Sequence, residues 1–454
     1  MPPESPALRE LLVDRPVHGG RFVALPADAA AGDGRAATGR GQVVLLAGGI
    51  PGERVIASVE LRKGVAFGEV VEVVEASADR VPTPAHPGLD LGHVALARQL
   101  MLKHEVLLDA ARRAGVELPG DVPAVVPSPL SWGYRNAIQP AVAPPSVPAS
   151  RSAPGSASAP DPASTAEPRT ALGYRRPGAH EVVALAEDPT ANAACAAAWA
   201  AAASVGLPRG VREVAIRGND AGEALLALIA TGEARDALDT AHELVRAGVA
   251  GVALAPYDPR GRFRGGTQRL AGARSLQQRY GDVDVTLTAT AFGQPNPAAA
   301  GALFRELAAW APPARHALDL YGGNGVIGLH LAPQSERVTV VEIDRGAVER
   351  GRVDAQRAGA ANVMHLRLDA RDLRVPDDVD LVCVDPPRAG LAAATRQALV
   401  DSRARTLIYV SCDVATWARD AADLQRAGFR LDRLRPYDFQ PHTHHLEVLS
   451  LLTR

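Results

Sequence analysis

The sequence predicts an α/β protein whose C-terminal part is a doubly wound, largely parallel sheet with helices on both faces. The main observation is the rhythm after about residue 281, where apolar runs, Gly-rich turns and helical patterns follow one another repeatedly. Closely spaced β-segments with Gly-rich turns over 11–78 predict a small barrel. Further β-segments within 132–186 predict a second β-rich unit. We therefore expect an N-terminal OB-like β-barrel, a central β-rich α+β domain and a Rossmann-like domain.

A chain of 454 residues is too long for one core, so the expected domains are 8–78, 79–280 and 281–454. Within the central domain, 20 of the 28 residues over 143–170 are Ala, Pro or Ser, and none is aromatic. Such a segment buries too little apolar surface to offset its ordering entropy, which predicts a disordered loop. The alanine-rich stretch that follows predicts a helix in which Cys195 is a packing residue.

The composition is that of an ordinary globular protein, with 47% hydrophobic and 22% charged residues. No apolar stretch reaches the roughly 18 residues of a membrane span, and the N-terminus shows no export signal. The 3 cysteines are too few for a disulfide framework. We expect a cytoplasmic monomer without membrane partners. A net charge of −2 means that any polyanion must be held by local patches, such as the arginines within 257–280, although this stretch alone slightly favours a solvated loop.

The first strand of the C-terminal domain leads into a Gly-rich turn and a helix, in HALDLYGGNGVIGLHLA (316–332). This turn alone is a weak signal, because it has neither GxGxxG spacing nor a GK[ST] phosphate loop. The next strand ends at Glu342, roughly 20 residues further on, where a carboxylate can accept hydrogen bonds from both ribose hydroxyls of a nucleoside. Asp369, which follows the third strand, could lie near an adenine amine. Together these residues favour a nucleoside-bearing cofactor over a purely structural domain, although a solvated strand-end acid is the alternative for Glu342.

The fourth and fifth strands end in chemically distinctive residues. VDLVCVDPPRAGL (379–391) ends with Asp385 followed by two prolines, which stop the strand and stiffen the turn. LIYVSCDVATWARD (407–420) places Cys412 at the carboxyl edge of the neighbouring strand, beside the start of a helix. A helix N-terminus favours the thiolate form of cysteine. Position alone leaves nucleophile and packing residue equally open for Cys412.

LIYVSCDVATWARD resembles the nucleophile motif Y-V-S-C-N-P-x-T-x-A-R-D of the S-adenosylmethionine-dependent RNA uracil-5 methyltransferases. Asp413 and Val414 replace the usual Asn and Pro. The C-terminal DFQPHTHHLEVLSLL (438–452) resembles the second signature, F-P-x-T-x-H-V-E followed by an apolar strand, with Gln440 for Phe and Leu446 for Val. The two signatures and the Asp-Pro-Pro-Arg turn make chance agreement improbable.

The resemblance covers nearly the whole chain. AFGQPNP (291–297) resembles F-F-Q-x-N-P, with Gly293 for the second Phe. GQVVLLAGGIPGERV is similar to the TRAM barrel, an RNA-binding appendage of these enzymes, and WGYRNAIQ and LGYRRPG resemble their central RNA-binding domain. Many relatives hold an iron–sulfur cluster on four cysteines after the barrel, but the corresponding 83–107 has no cysteine. A cluster needs thiolates, so none is expected here.

The resemblance implies a class I methyltransferase domain with the chemistry of covalent catalysis. Cys412 would add to C6 of uracil as the nucleophile, and Glu447 would remove the C5 proton. Alone, Glu447 would be interpreted as a surface acid at the start of a strand, but the motif and Cys412 predict each other. The residues that the resemblance places around S-adenosylmethionine are Gln294, Tyr321, Glu342 and Asp385.

The implied function is methylation of C5 of a uridine in structured RNA. The TRAM-like barrel favours 23S ribosomal RNA, and transfer RNA is the alternative substrate. We expect Arg135 and the arginines of 257–280 to contact RNA phosphates. Amino methylation of a base or protein at the Asp-Pro-Pro-Arg turn is a second hypothesis, but it leaves Cys412 and Glu447 without a role. A third hypothesis is a catalytically silent RNA-binding or chaperone protein.

Overall fold

The computed structural model describes residues 7–27, 43–82, 86–143, 170–232, 236–258 and 266–454. The segment predicted to be a disordered loop, 143–170, lies outside the described residues except for its two end residues. Residues 259–265, which carry part of the arginine-rich stretch, also lie outside the described residues. In the described part of the chain, no helix is long and apolar enough to cross a membrane.

The N-terminal strands close into a small barrel, as the sequence predicts. The strands are β1 (Ala7–Val17), β2 (Arg21–Pro26), β3 (Val44–Ala47), β4 (Arg54–Arg62) and β5 (Val65–Glu75). They pair in the order β1-β2-β3-β5-β4, and β4 pairs back with β1. Alternate residues of β4, including Val55, Ala57 and Val59, point inward and fill the barrel.

A long helix, α1 (Leu96–Ala114), leads from the barrel to a central mixed sheet. Among the described residues the strands of this sheet are β6 (Ala137–Ile138), β7 (Ala141–Val142), β8 (Leu172–Arg175), β9 (Val182–Leu185), β10 (Val211–Gly218), β11 (Ala224–Ala230), β12 (Gly251–Pro256) and β13 (Gln268–Gly272). The helices α2 (Ala193–Val205) and α3 (Ala237–Arg246) pack against it. Cys195 lies in α2 and is fully buried, which confirms its predicted packing role.

One predicted strand belongs to a different sheet from the one expected. The stretch VTLTAT (285–290) forms only the end of β15 (Val283–Leu287), which pairs with β14 (Leu276–Tyr280) in a two-stranded sheet. Its inward residues Val285 and Leu287 pack in the core with α4 (Pro297–Trp310). The prediction that this strand joins the large sheet is therefore wrong, because pairing partners cannot be assigned from an apolar run alone.

The C-terminal domain is the predicted doubly wound sheet. Within the described ranges its strands are β16 (Ala314–Leu320), β17 (Ser335–Glu342), β18 (Val363–Arg367), β19 (Leu381–Val384), β20 (Thr406–Ser411), β21 (Arg430–Tyr437) and β22 (Glu447–Thr453). They lie in the order β18-β17-β16-β19-β20-β22-β21, and the first five are parallel. The remaining helices are α5 (Val326–Leu331), α6 (Arg345–Arg357), α7 (Ala393–Asp401) and α8 (Val414–Arg426). Two apolar clusters, one on each face, form its core.

Helix α1 joins the barrel to the C-terminal domain. Its apolar residues Leu107 and Ala111 belong to the same core as Trp417 of α8. On the same helix, Lys103 Nζ donates to Asp438 Oδ1 at 2.7 Å, and the side chains are 1% and 2% exposed. Helix α1 therefore contacts both the barrel core, through Leu102, and the C-terminal motif that begins at Asp438.

Candidate active site

The sheet brings four of the sequence-predicted residues to one edge. Tyr321, Glu342, Asp385 and Cys412 stand at or just after the carboxyl ends of β16, β17, β19 and β20, which are neighbouring parallel strands. Such an edge is where ligands bind in open α/β sheets. Glu447 begins β22, which runs antiparallel to β20 with Ser411 opposite Val448. The antiparallel return therefore brings Glu447 to the level of Cys412.

The nucleophile candidate is half-buried at the start of α8. Asp413 is the N-cap of this helix, and its Oδ1 accepts a hydrogen bond from the amide of Thr416 at 2.9 Å. Burial, together with the carboxylates of Glu447 and Asp385, raises the pKa of the Cys412 thiol to about 12. The expectation that the helix N-terminus favours the thiolate is therefore wrong for the free protein. The helix end is capped by Asp413, and nearby negative charges disfavour another anion.

Glu447 is buried, and no described residue donates a hydrogen bond to its Oε2. Burial, followed by the charge of Asp385, raises the pKa of Glu447 to about 8. A carboxyl group that exchanges its proton close to neutral pH suits general acid–base chemistry. An unpaired buried oxygen also costs free energy, so such an atom marks a place where a ligand can bind.

Asp385 is held by Gln294, whose Nε2 donates to Oδ2 of the carboxyl at 3.3 Å. Burial raises the pKa of Asp385 to about 7, and the hydrogen bond from Gln294 opposes this shift. The backbone of Gln294 is itself fixed, because the hydroxyl of Tyr280 donates to its carbonyl oxygen at 2.8 Å. Asp385 and Gln294 therefore form a hydrogen-bonded polar pair near Cys412, with the backbone of Gln294 held in place by Tyr280.

The Gly-rich turn is organised by Glu342. Its Oε2 accepts from the amide of Gly323 at 3.0 Å, and its Oε1 accepts from the amide of Asp344 at 2.7 Å. Gly323 has φ +56°, and a Cβ built there would meet no atom within 4 Å, so open space lies over this backbone. Tyr321 has φ +61°, and its hydroxyl lies 3.2 Å from Oγ1 of Thr395. The turn thus presents a ligand with exposed backbone and one carboxylate.

Sequence reasoning missed Asp319, an acid next to the carboxyl end of β16. Its Oδ2 accepts from the amide of Gly328 at 2.8 Å, whereas Oδ1 has no partner among the described residues. Burial, with the charges of Asp385 and Glu342, raises the pKa of Asp319 to about 7. The signal was present in HALDLY, where a charged residue interrupts an apolar strand.

Asp369, the other acid near this edge, accepts hydrogen bonds from Nε and the backbone amide of Arg371 at 3.0 and 2.9 Å. Its suggested role beside an adenine amine stays a prediction.

The residues present fit S-adenosylmethionine, which carries a positive sulfonium and two ribose hydroxyls. The buried acids Asp319, Asp385 and Glu447 have pKa values raised mainly by burial, so a bound cation would stabilise their charged forms. Glu342, with each oxygen held by one backbone amide, keeps further acceptor capacity for hydroxyl groups. Different carboxylates therefore suit the sulfonium cation and the ribose hydroxyls of this molecule.

The barrel also reaches the nucleophile. A cavity of about 150 Å³ is lined by Cys412, by the β1–β2 turn of the barrel and by Lys103 of α1. In that turn, Nε2 of His18 lies 3.1 Å from Oδ2 of Asp413, and the hydrogen bond and charge of Asp413 raise the pKa of His18. No sequence motif indicated this contact, because its two residues are nearly the whole chain apart.

Arg135 does not lie free for RNA in this structure. Its Nη2 donates to Oε1 of Gln440 at 2.6 Å, so Gln440, where the resemblance has Phe, joins the central domain to the C-terminal motif. The Nε of Arg135 has no partner among the described residues. Arg135 therefore lies at the boundary of the two domains, next to the motif that carries Glu447.

Comparisons with known proteins agree with this arrangement. Residues 277–454 match the family model described as tRNA (Uracil-5-)-methyltransferase. An uncharacterized RNA methyltransferase of Thermosynechococcus vestitus is 30% identical over 439 residues, which cover 91% of this chain and 93% of the relative. The 23S rRNA (uracil(1939)-C(5))-methyltransferase RlmD of Halomonas elongata is 30% identical over 473 residues, covering 99% and 90%.

A solved structure shares the fold over almost the full length. The crystal structure of Pyrococcus abyssi tRNA (uracil-54, C5)-methyltransferase in complex with S-adenosyl-L-homocysteine superimposes with a TM-score of 0.75 and 21% identity. The match covers 98% of this chain and 99% of that one. The order of barrel, central sheet and C-terminal sheet is therefore an arrangement already seen in a solved protein.

Proposed function

The chain belongs to the family of RNA uracil-5 methyltransferases, and from this premise we propose that it methylates C5 of a uridine in structured RNA. The observation that carries the proposal is the convergence of Cys412, Glu447 and Asp385 at one edge of the sheet. The close relationship to a protein named as a 23S ribosomal RNA enzyme and the TRAM-like barrel favour 23S ribosomal RNA as the substrate. Transfer RNA is the second candidate, because the matching family model and the solved structure carry transfer RNA names.

The chemistry requires a nucleophile because C5 of uracil is itself too weakly nucleophilic to take a methyl group. The sulfur of Cys412 bonds to C6, and the electrons of the C5–C6 double bond move to give an enolate. S-adenosylmethionine would supply the electrophilic methyl group to C5, with its S–CH3 bond breaking to leave S-adenosylhomocysteine. Glu447 removes the proton from C5, the double bond forms again, and the C6–S bond breaks to release the thiolate.

The proton states of the free protein suggest when these groups become active. Cys412, with a pKa of about 12, and Glu447, with a pKa of about 8, hold their protons at neutral pH. A cation bound among the buried acids lowers the pKa of each neighbouring group. We infer that the thiolate and the base form only when the cleft is filled, which protects the thiol from other reactions.

The proposed cofactor contacts follow from the groups that each residue offers. Glu342 accepts hydrogen bonds from the ribose hydroxyls, and Asp385 with Gln294 lies at the reactive end. Tyr321 lines the Gly-rich turn, and Asp369 lies toward the adenine. The target uridine is extruded or already unpaired, since it cannot react inside a helix. The barrel and the central domain hold the flanking RNA.

The test uses RNA that contains 5-fluorouridine, incubated with the protein and S-adenosylmethionine. Fluorine cannot leave C5 as a proton does, so the reaction stops at a covalent complex that survives denaturing electrophoresis. We expect a complex with wild type and with the control Cys195→Ala, whose thiol is buried in the central domain, and none with Cys412→Ala. If neither ribosomal nor transfer RNA forms the complex with wild type, the result favours the amino methylation and silent RNA-binding hypotheses instead.

A further inference from the structure

We propose that an arginine-lined groove between the central sheet and α6 binds the phosphates of the RNA strand that flanks the target uridine. This inference rests on the proposed function. The groove has a volume of about 520 Å³ and lies apart from the Cys412 cavity. We call it the arginine groove; its charged lining residues are Arg269, Arg274, Glu349, Arg350 and Arg357.

The positive charge of the arginine groove is only partly compensated. Glu349 is already paired with Arg345, at 2.7 Å, and Arg357 is paired with Asp354, at 3.0 Å. Arg274 is exposed and makes no hydrogen bond or ion pair within the described residues. Among the described residues, Arg269 donates only to the carbonyl of Gly272, at 2.7 Å. The groove therefore carries unpaired cationic side chains that attract an anion.

Two arginines at the arginine groove, Arg350 and Arg217, have buried nitrogen atoms without hydrogen-bond partners among the described residues. Arg350 reaches its nearest acid, Asp344, only at 3.9 Å, and its buried Nε has no partner among the described residues. Behind it, Arg217 is 6% exposed, with Nε and Nη1 also unpaired in the described part of the chain. Burial is the main cause of the lowered pKa of Arg217, and the charge of Arg350 adds to it, so the two guanidinium groups repel each other. An anion in the arginine groove would relieve this repulsion.

The arginine groove is connected to the candidate active site through the chain segment that precedes Gln294. The segment 286–290 lines the groove and runs directly into Gly293 and Gln294. Nη1 of Arg217 lies 3.3 Å from where a Cβ of Gly293 would stand, and Nη2 of Arg217 donates to the carbonyl of Ala291, so the buried arginine contacts the chain that continues from this segment. A strand lying in the arginine groove is thereby led toward the cofactor side of the cleft.

The lining chemistry favours a phosphodiester strand. Hydroxyl groups of Thr267, Ser275, Thr288 and Thr290 share the groove with the arginines. Arginine forks and hydroxyl donors are the usual partners of phosphate oxygens in nucleic-acid complexes. The arginines come from both the central domain and α6, so a strand that binds them also bridges the two domains.

The test measures binding of an unmodified 23S ribosomal RNA transcript over a range of salt concentrations, without cofactor. The variants are Arg274→Ala, Arg350→Ala and Arg274→Lys, which keeps the charge. We expect each alanine variant to bind roughly threefold to tenfold more weakly and to reduce the salt slope by about 0.7 to 1. Arg274→Lys keeps the wild-type slope. Arg274 is exposed, so its replacement does not threaten folding.

The matched control is Arg315→Ala, an exposed arginine at the start of β16, on the sheet edge opposite Cys412. It should bind RNA like wild type. The proposal is overturned if Arg274→Ala keeps the wild-type slope, or if Arg315→Ala loses as much affinity. It is also wrong if inorganic phosphate stabilises wild type but not Arg274→Ala while RNA affinity is unchanged, since the groove would then be a small-anion site.

The two proposals fail in different ways. A wild-type covalent complex with 5-fluorouridine RNA, together with unchanged salt slopes in both alanine variants, would refute the arginine groove and leave the methylation proposal standing. Altered slopes without any covalent complex would refute methylation and support the arginine groove as an RNA site.

Discussion

In the group formed by Cys412, Asp385 and Glu447, the two carboxylates make ionisation of the thiol harder, and Asp385 makes ionisation of Glu447 harder. Burial is the largest cause of the raised pKa for all three, and the charge of Asp385 adds to it for Glu447 and for Cys412. Removing one acid should therefore alter the chemistry of its neighbours as well as its own. The most informative single change is at Glu447, because it separates adduct formation from adduct release.

We expect Glu447→Gln to slow turnover by roughly a hundredfold to ten-thousandfold, which is the usual contribution of a positioned base. The amide cannot accept the C5 proton, so a methylated RNA–protein complex should accumulate on ordinary uridine. Denaturing electrophoresis with labelled RNA measures this complex, and Cys412→Ala in the same background should abolish it. Turnover within tenfold of wild type would exclude Glu447 as the base.

At the scale of elements, helix α8 positions the nucleophile, and Asp413 sits at its first turn. Asp413 caps the helix and contacts His18 of the barrel, and its charge also contributes to raising the pKa of Cys412. One side chain therefore stabilises the helix, holds the barrel and discourages the thiolate.

We expect Asp413→Asn to keep the cap, because Asn is as good an N-cap as Asp, while lowering the pKa of Cys412. The rate of alkylation by iodoacetamide as a function of pH measures this pKa. Asp413→Ala should lower it as well, but should also cost about 1 kcal/mol of unfolding free energy through the lost cap. An unchanged alkylation profile in Asp413→Asn would show that its charge does not act on the thiol.

Helix α1 depends on the buried Lys103–Asp438 pair. Removing one partner leaves the other charge buried, so Lys103→Met should lower the free energy of unfolding by about 3 to 5 kcal/mol. Chemical denaturation measures this loss. The double variant Lys103→Met with Asp438→Asn should recover part of it, because no unpaired charge remains. A loss below 1 kcal/mol in the single variant would contradict the proposed importance of the pair.

At the scale of the whole molecule, the buried acids make stability depend on pH. The pKa values of Asp319, Asp385 and Glu447 in the folded chain, about 7, 7 and 8, exceed their ordinary values of 3.8 and 4.5. The folded protein therefore binds more protons than the unfolded chain between pH 4 and 8. Their stabilising contribution is complete below pH 4 and is lost as the pH rises through 7 to 8.

We expect the free energy of unfolding without cofactor to fall by several kcal/mol between pH 5.5 and 8.5, because each of these acids lowers it by about 1.4 kcal/mol per pH unit until its folded-state pKa is reached. Glu447→Gln should flatten this dependence, because the amide does not ionise. Urea titrations at three pH values measure both proteins. A wild-type stability that rises over this range, or an equal slope in the variant, would contradict the burial of a protonated Glu447.

Local sequence determined the order of the three units, most strands of the C-terminal sheet and the residues at their ends. Apolar runs and Gly-rich turns are local patterns, so Glu342, Asp385 and Cys412 could be found at the strand ends before any contact was known. The motif around Cys412 likewise pointed to Glu447, although the two meet only through the antiparallel return of β22.

Only the tertiary structure decided the pairing of β15 with β14, the contact of His18 with Asp413 and the proton states of the buried acids. The thiolate expected from the helix N-terminus gave way to a thiol, because burial and two carboxylates outweigh a helix end that is already capped. Burial and distance between residues far apart in the chain set these properties, and neither quantity is encoded in a local pattern.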